Sequence, residues 1–140
     1  MAVVSDLPTL IATMTPVMAA ETFVFCTLTD PDWAQVGKLA PVMTVREDEG
    51  LTVVVNEATA ISSGLAAGPP MRMITLTVYS DLEAVGLTAA FAEALTSAGV
   101  SANVVAGYHH DHIFVPRHDA DKAMSALIAL QRAAAVGVAG

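Results

Sequence analysis

Three short stretches hold the residue types and spacings that could do chemistry. The most conspicuous is His109-His110-Asp111-His112. With a two-residue turn at His110-Asp111, His109 and His112 would pair across a hairpin with Cβ atoms about 4.5–5.5 Å apart. Two imidazoles at that spacing could share a metal, with Asp111 or a partner subunit supplying another ligand. The same residues suit a plain polar turn, since His and Asp tolerate unusual backbone angles. His118 is distant in sequence from the cluster and is expected in solvent.

The second stretch is Ser80-Asp81-Leu82-Glu83-Ala84-Val85-Gly86-Leu87, which joins a strand to a helix. Free backbone N–H groups at a helix start attract a carboxylate. Gly86 would let a ligand approach the main chain closely, and Asp81 could receive an ammonium group. A zwitterion suits such a loop. The simpler alternative is that Ser80 or Asp81 caps the helix and Gly86 relieves crowding. Asn103, on a neighbouring strand, could add an amide contact or serve only the strand.

The third stretch, Asp30-Pro31-Asp32-Trp33, is the counterpart of that loop earlier in the chain. Trp33 could wall a ligand or anchor packing. Arg46 and Arg72 are two of six basic residues, and either could pair a carboxylate. For Arg46, an ion pair with Glu47 or Glu49 is the plainer expectation, and Glu47-Asp48-Glu49 reads as a solvated turn.

Enzymatic signatures are scarce. The chain has no G-x-S-x-G elbow, no P-loop and no G-x-G-x-x-G. Cys26 is the one cysteine, so neither an intramolecular disulfide nor a cysteine-based metal site can form. It lies within Phe23-Val24-Phe25-Cys26, where a buried, inert thiol is expected.

The elements that must position these residues follow from periodicity. Leu7, Leu10, Ile11 and Met14 predict a short amphipathic helix stopped near Pro16. Thr22 to Leu28 reads as a buried strand. Trp33 to Leu39 forms one helical turn or a loop. Val42 to Arg46 and Leu51 to Val55 form a hairpin, and Glu57 to Ser63 a short helix. Gly64 and Gly68-Pro69-Pro70 make the most linker-like stretch. Met73 to Tyr79 alternates as a strand, and Leu87, Phe91, Leu95 and Ala98 share one helix face, with Gly99 at the C-terminal end. Ser101 to Tyr108 and His112 to Val115 predict a second hairpin around His110-Asp111. Asp119 would cap a final helix that buries Ala120, Ala123, Met124, Leu127 and Leu130. The tail from Val136 to Gly140 reads as an edge strand or a frayed end.

The chain has 140 residues, 54% hydrophobic and 14% charged, with 6 basic and 14 acidic residues for a net charge of −8. That length fits one ordinary domain or two very small ones sharing a core. The composition is more apolar and less charged than an average soluble domain, which argues against disorder. A phosphate backbone or an anionic membrane surface needs a basic face, so nucleic acid and membrane partners are disfavoured. No segment reads as a signal peptide or a membrane span, so a soluble cytoplasmic protein is expected. The apolar surplus predicts surface covered by a second copy, hence a homodimer or higher oligomer.

The two halves repeat. Phe23-Val24-Phe25-Cys26-Thr27-Leu28-Thr29-Asp30 parallels Ile74-Thr75-Leu76-Thr77-Val78-Tyr79-Ser80-Asp81. Each half then reads strand, connection, strand, strand, helix, the connection being shorter in the first. Internal duplication of this kind is a fold-level signal. Each half gives the first five elements of the β-α-β-β-α-β ferredoxin-like plan. The sixth strands could be absent, exchanged between halves or drawn from the termini.

RMITLTVYSDLEAVGLTAAFAEALTSAGV, followed by NVVAGYHHDHIFVP, resembles the second half of small bacterial proteins with tandem ACT-like domains. FVFCTL and the TVREDEGLTVVV hairpin resemble their first half. The resemblance covers roughly residues 5 to 133. It implies an α+β fold of two ferredoxin-like halves, residues 1–68 and 69–140, with antiparallel sheets and helices on one face. It also implies a regulatory module, not an enzyme, that binds amino acids or similar metabolites between adjacent domains and carries no cofactor. In ACT domains the matching loop carries an acidic residue and then a Gly-Leu pair. Asp81, Gly86 and Leu87 match, whereas Val85 stands where a proline is usual. The resemblance therefore places the ligand on Asp81, Val85, Gly86 and Leu87, with Asn103 nearby. The competing readings are a metal-binding or small hydrolytic protein using His109 and His112, and a protein-interaction scaffold.

Overall fold

The computed structural model describes residues 6–77 and 85–139. Asp6 opens the first helix, α1 (Leu7–Thr13), by accepting from the Thr9 amide, and Pro8 occupies the first turn, where its missing N–H costs nothing. The strand β1 (Pro16–Leu28) follows. It begins well before the expected Thr22, because Thr15–Ala19 finds a partner strand far away in sequence. Then come α2 (Trp33–Leu39), β2 (Met43–Glu47), β3 (Gly50–Asn56) and α3 (Glu57–Ser62). The second half comprises β4 (Met71–Leu76), α4 (Leu87–Ser97), β5 (Asn103–Ala106), β6 (Asp111–Pro116), one 3-10 turn and α5 (Ala120–Ala139). The fold is α+β, with antiparallel strands and helices.

The chain divides into two compact units, residues 20–71 and residues 1–19 with 72–140. In the unit of residues 20–71 the strands run β2-β3-β1. Phe23 pairs with Asn56 and Leu28 with Leu51 along β1 and β3, and Met43 with Val54 along β2 and β3. Val24, Cys26 and Leu28 of β1 and Leu51, Val53 and Val55 of β3 form one buried face. Val36 and Leu39 of α2 and Ala60 of α3 cover it. The free Cys26 thiol is buried there, and burial raises its pKa.

In the other unit the strand order is the opening of β1, then β4, β6 and β5. Thr77 donates from both its amide and its hydroxyl to the Thr15 carbonyl, at 2.9 and 2.8 Å, and Arg72 donates to the Ala19 carbonyl at 2.7 Å. The two segments therefore run antiparallel. The sixth strand missing from the second half is thus the opening of β1. Residues 6–19 pack with residues 72–139. The reason is apolar burial. Leu10 and Ile11 of α1 and Met14 just after it enter a core with Ile74, Leu76, Phe91, Leu95, Ile113 and Leu127. Gln131 of α5 also donates to the Ala12 carbonyl at the end of α1.

Two details differ from expectation. The tail does not form a strand or fray at Val136, since α5 continues to Ala139. Asp119 closes a 3-10 turn, Arg117–Asp119, and lies 3.5 Å from Lys122 Nζ and 3.5 Å from the exposed His118 ring.

Candidate functional site

The first-half loop and the hairpin opposite it form a cavity. After β1, Asp30 adopts a left-handed conformation (φ 45°), a region that Asp enters more readily than most residues. Asp32 then caps α2 by accepting from the Gln35 amide at 2.7 Å. Trp33 is the first residue of α2. Trp33 is 61% exposed, so it is not the packing anchor that a lone Trp would suggest.

Across from it, β2 and β3 are joined by the two-residue turn Asp48-Glu49, with Glu47 paired to Gly50. A Cβ on Gly50 would lie 2.7 Å from the Leu28 carbonyl oxygen and 2.9 Å from Thr27 Oγ1. Glycine therefore lets the hairpin sit directly against the end of β1. Leu28, Leu51 and Arg46 are successive partners across β1, β3 and β2 and so share one face. Arg46 continues the core row out to the edge. There its guanidinium carbon lies 5.5 Å from the Trp33 ring centroid, within cation–π range. The expected ion pair with Glu47 or Glu49 does not form. The Arg46 side chain has no ion pair or hydrogen bond among the described residues, and Glu47 instead accepts from the Thr52 hydroxyl.

Residues 29–31 and Trp33 on one side and residues 46–51 on the other line a half-open cavity of about 430 Å³. That volume suits a small metabolite. Its walls combine an indole face, Pro31, Leu51, one guanidinium and several carboxylates.

Of the second-half loop, the described residues include Val85 and Gly86, which lead into Leu87 of α4. Asp81 and Ser80 lie outside the described residues. Val85 is exposed, and Gly86 precedes α4 with φ 100°. Leu87 is buried in the core. A Cβ on Gly86 would lie 2.9 Å from Leu7 Cδ2. The close approach that Gly86 permits is thus taken up by α1. Asn103 opens β5 and is exposed.

The histidine hairpin also departs from the expected geometry. Val105 pairs with His112 and Ala106 with Asp111. The turn spans residues 107–110, closed by the Gly107 amide on the His110 carbonyl at 2.8 Å. His109 therefore sits in the turn and does not face His112. The His109 ring packs edge-on to Tyr108, with centroids 5.0 Å apart. His112 lies in β6, its Nδ1 2.8 Å from Thr75 Oγ1 on β4. Burial, and then the neighbouring His110 charge, lower the His112 pKa, while Asp111 opposes the shift. Burial raises the Asp111 carboxyl above its usual range. Among the described residues no group of three or more His, Cys, Asp and Glu side chains is placed to hold a metal.

The sequence matches the ACT domain family twice, over residues 2–72 and over residues 70–129. The chain belongs to the ACT domain family. A Vibrio cholerae protein of unknown function, described as a possible transport protein, is 45% identical. Its structure superposes with a TM-score of 0.82 over 89% of this chain and 95% of that one. An Agrobacterium tumefaciens protein is 19% identical, with a TM-score of 0.68 over 84% of this chain and 89% of that one. The regulatory subunit of aspartate kinase from Thermus thermophilus is 14% identical, with a TM-score of 0.65 over 86% of this chain and 97% of that one. At such identities the last two likenesses concern the fold alone. No curated protein matches. Among the described residues no helix is long and apolar enough to cross a membrane.

Proposed function

We propose that this tandem ACT protein is a non-enzymatic regulatory module that binds an amino acid in the first-half cavity. The observation that carries the reading is the cavity itself, about 430 Å³ lined by Asp30, Trp33 and Arg46. A free guanidinium suits a carboxylate, a nearby carboxylate suits an ammonium, and an amino acid carries both. The likeness in fold to an aspartate kinase regulatory subunit supports a regulatory role. At the start of α4, Leu7 covers Gly86 and Leu87 is buried in the core. Regulation would follow from a ligand that binds one arrangement of the chain or its partner more tightly than another. Pairing of two copies belongs to the same proposal, and Val42 and Val45, each over 40% exposed, are apolar surface that a second copy would cover.

Thermal unfolding with each of the twenty amino acids at millimolar concentration tests this. A ligand at 100 times its dissociation constant stabilises by about 2.7 kcal/mol. For a chain of this size that raises the melting temperature by about 5–15 °C. A flat panel would exclude the reading.

A further inference from the structure

We infer that Arg46, held by Trp33, is the carboxylate anchor of the first-half cavity, and that the acids around it restrict the ligand to amino acids with a single carboxylate. The inference rests on reading this cavity as the ligand site and adds which residue fixes the ligand and which ligands are refused.

Three observations lead to it. First, Arg46 is held without being used. Its guanidinium lies 5.5 Å from the Trp33 ring centroid, yet it makes no ion pair or hydrogen bond among the described residues. A guanidinium offers five N–H donors in a rigid planar fork that matches a carboxylate. Stacking on the indole orients that fork in advance and lowers the entropy lost on binding. Second, Arg46 is the one basic residue of the cavity, while Asp30, Glu47, Asp48 and Glu49 line the same space. The field there favours a ligand ammonium and opposes a second carboxylate, since like charges brought together weaken binding. Third, Pro31, Leu51 and the indole supply apolar wall for the remainder of the ligand. Leucine-like and lysine-like side chains meet no repulsion there, whereas aspartate and glutamate do.

Isothermal titration calorimetry with the full chain tests this, using each of the twenty amino acids against wild type, Arg46→Ala, Arg46→Lys and Trp33→Leu. Arg46 is an exposed edge residue, so the variants are expected to fold, and unchanged melting temperatures without ligand check that. Affinity for the preferred amino acid should fall about tenfold or more in Arg46→Ala, the worth of one charge-assisted hydrogen bond. Arg46→Lys should recover only part of it, because lysine keeps the charge but loses the fork and the stacking. Trp33→Leu should weaken binding in the same direction. Aspartate and glutamate should bind wild type at least about tenfold more weakly than the preferred ligand. The decarboxylated amine of that ligand should bind wild type and Arg46→Ala equally. Undiminished affinity in Arg46→Ala, or dicarboxylic amino acids as the best ligands, would overturn this inference and leave the cavity as an amino-acid site. Absence of amino-acid binding to wild type would overturn both.

Discussion

The Arg46 guanidinium lies 5.5 Å from the centre of the Trp33 indole, joining the edge strand of one hairpin to the first residue of α2. Both residues line the first-half cavity. Both side chains lie at the surface, where a single cation–π contact is worth about 0.5–1 kcal/mol. Trp33→Leu should therefore change unliganded stability by less than about 1 kcal/mol in chemical denaturation. A loss of several kcal/mol would mean that Trp33 is a packing residue after all.

Gly50 and Gly86 should respond differently to alanine. At Gly50 the added Cβ meets a backbone oxygen, Leu28 O at 2.7 Å, which cannot move without shifting β1. Gly50→Ala is expected to cost about 2 kcal/mol or more, and to distort the cavity it lines. At Gly86 the nearest atom is the end of the flexible Leu7 side chain, so most of the cost comes from φ 100°. Gly86→Ala should cost about 1–2 kcal/mol, and a Leu7→Ala background should recover little of it. Urea unfolding of the single and double variants measures both, and a large recovery in the double variant would show that the contact dominates.

The helix α1 should be integral to the core it joins. Leu10 and Met14 are almost fully buried, at 0% and 1% exposure. Leu10→Ala is expected to destabilise by about 2–5 kcal/mol. Hydrogen exchange should show α1 amides protected together with α4 and α5, and fast exchange confined to α1 would contradict this placement.

Much of this architecture is legible in the sequence. Leu87, Phe91 and Leu95 keep helical spacing because they share one buried face, and Glu47 to Gly50 shows its hairpin through a polar turn between apolar strands. The second hairpin is misplaced because four consecutive polar residues, His109 to His112, draw the turn towards themselves. The backbone turns instead after Gly107, where a Cβ would crowd the His110 carbonyl oxygen at 3.0 Å. Leu7 over Gly86 is hidden because the contact joins distant parts of the chain. The cavity is hidden for a similar reason, since neither the Asp30 loop nor Arg46 shows a periodicity that announces the other. Trp33 misleads because tryptophans are mostly buried, and only its place at the first turn of α2 leaves it exposed.

Acidification should weaken the fold through His112. Its pKa is held below the ordinary 6.5, so the unfolded chain takes up a proton that the folded unit resists. Stability then falls as pH drops below about 6.5 and levels off beneath the lowered folded value. Asp111 opposes this at lower pH, because its raised pKa lets the folded form take the proton first, between that value and 3.8. Denaturation at pH 7.5, 6.0 and 5.0 should show a shallower loss in His112→Gln than in wild type. Equal slopes would remove His112 as the cause.

Intrinsic fluorescence tests the location of the ligand most directly, because Trp33 is the one tryptophan of the chain and stands at the cavity wall. Titration with an amino acid that raises the melting temperature should give a saturable change in Trp33 emission, with a midpoint equal to the calorimetric dissociation constant. An amino acid that stabilises the protein while leaving Trp33 emission unchanged would place the ligand elsewhere and contradict the account.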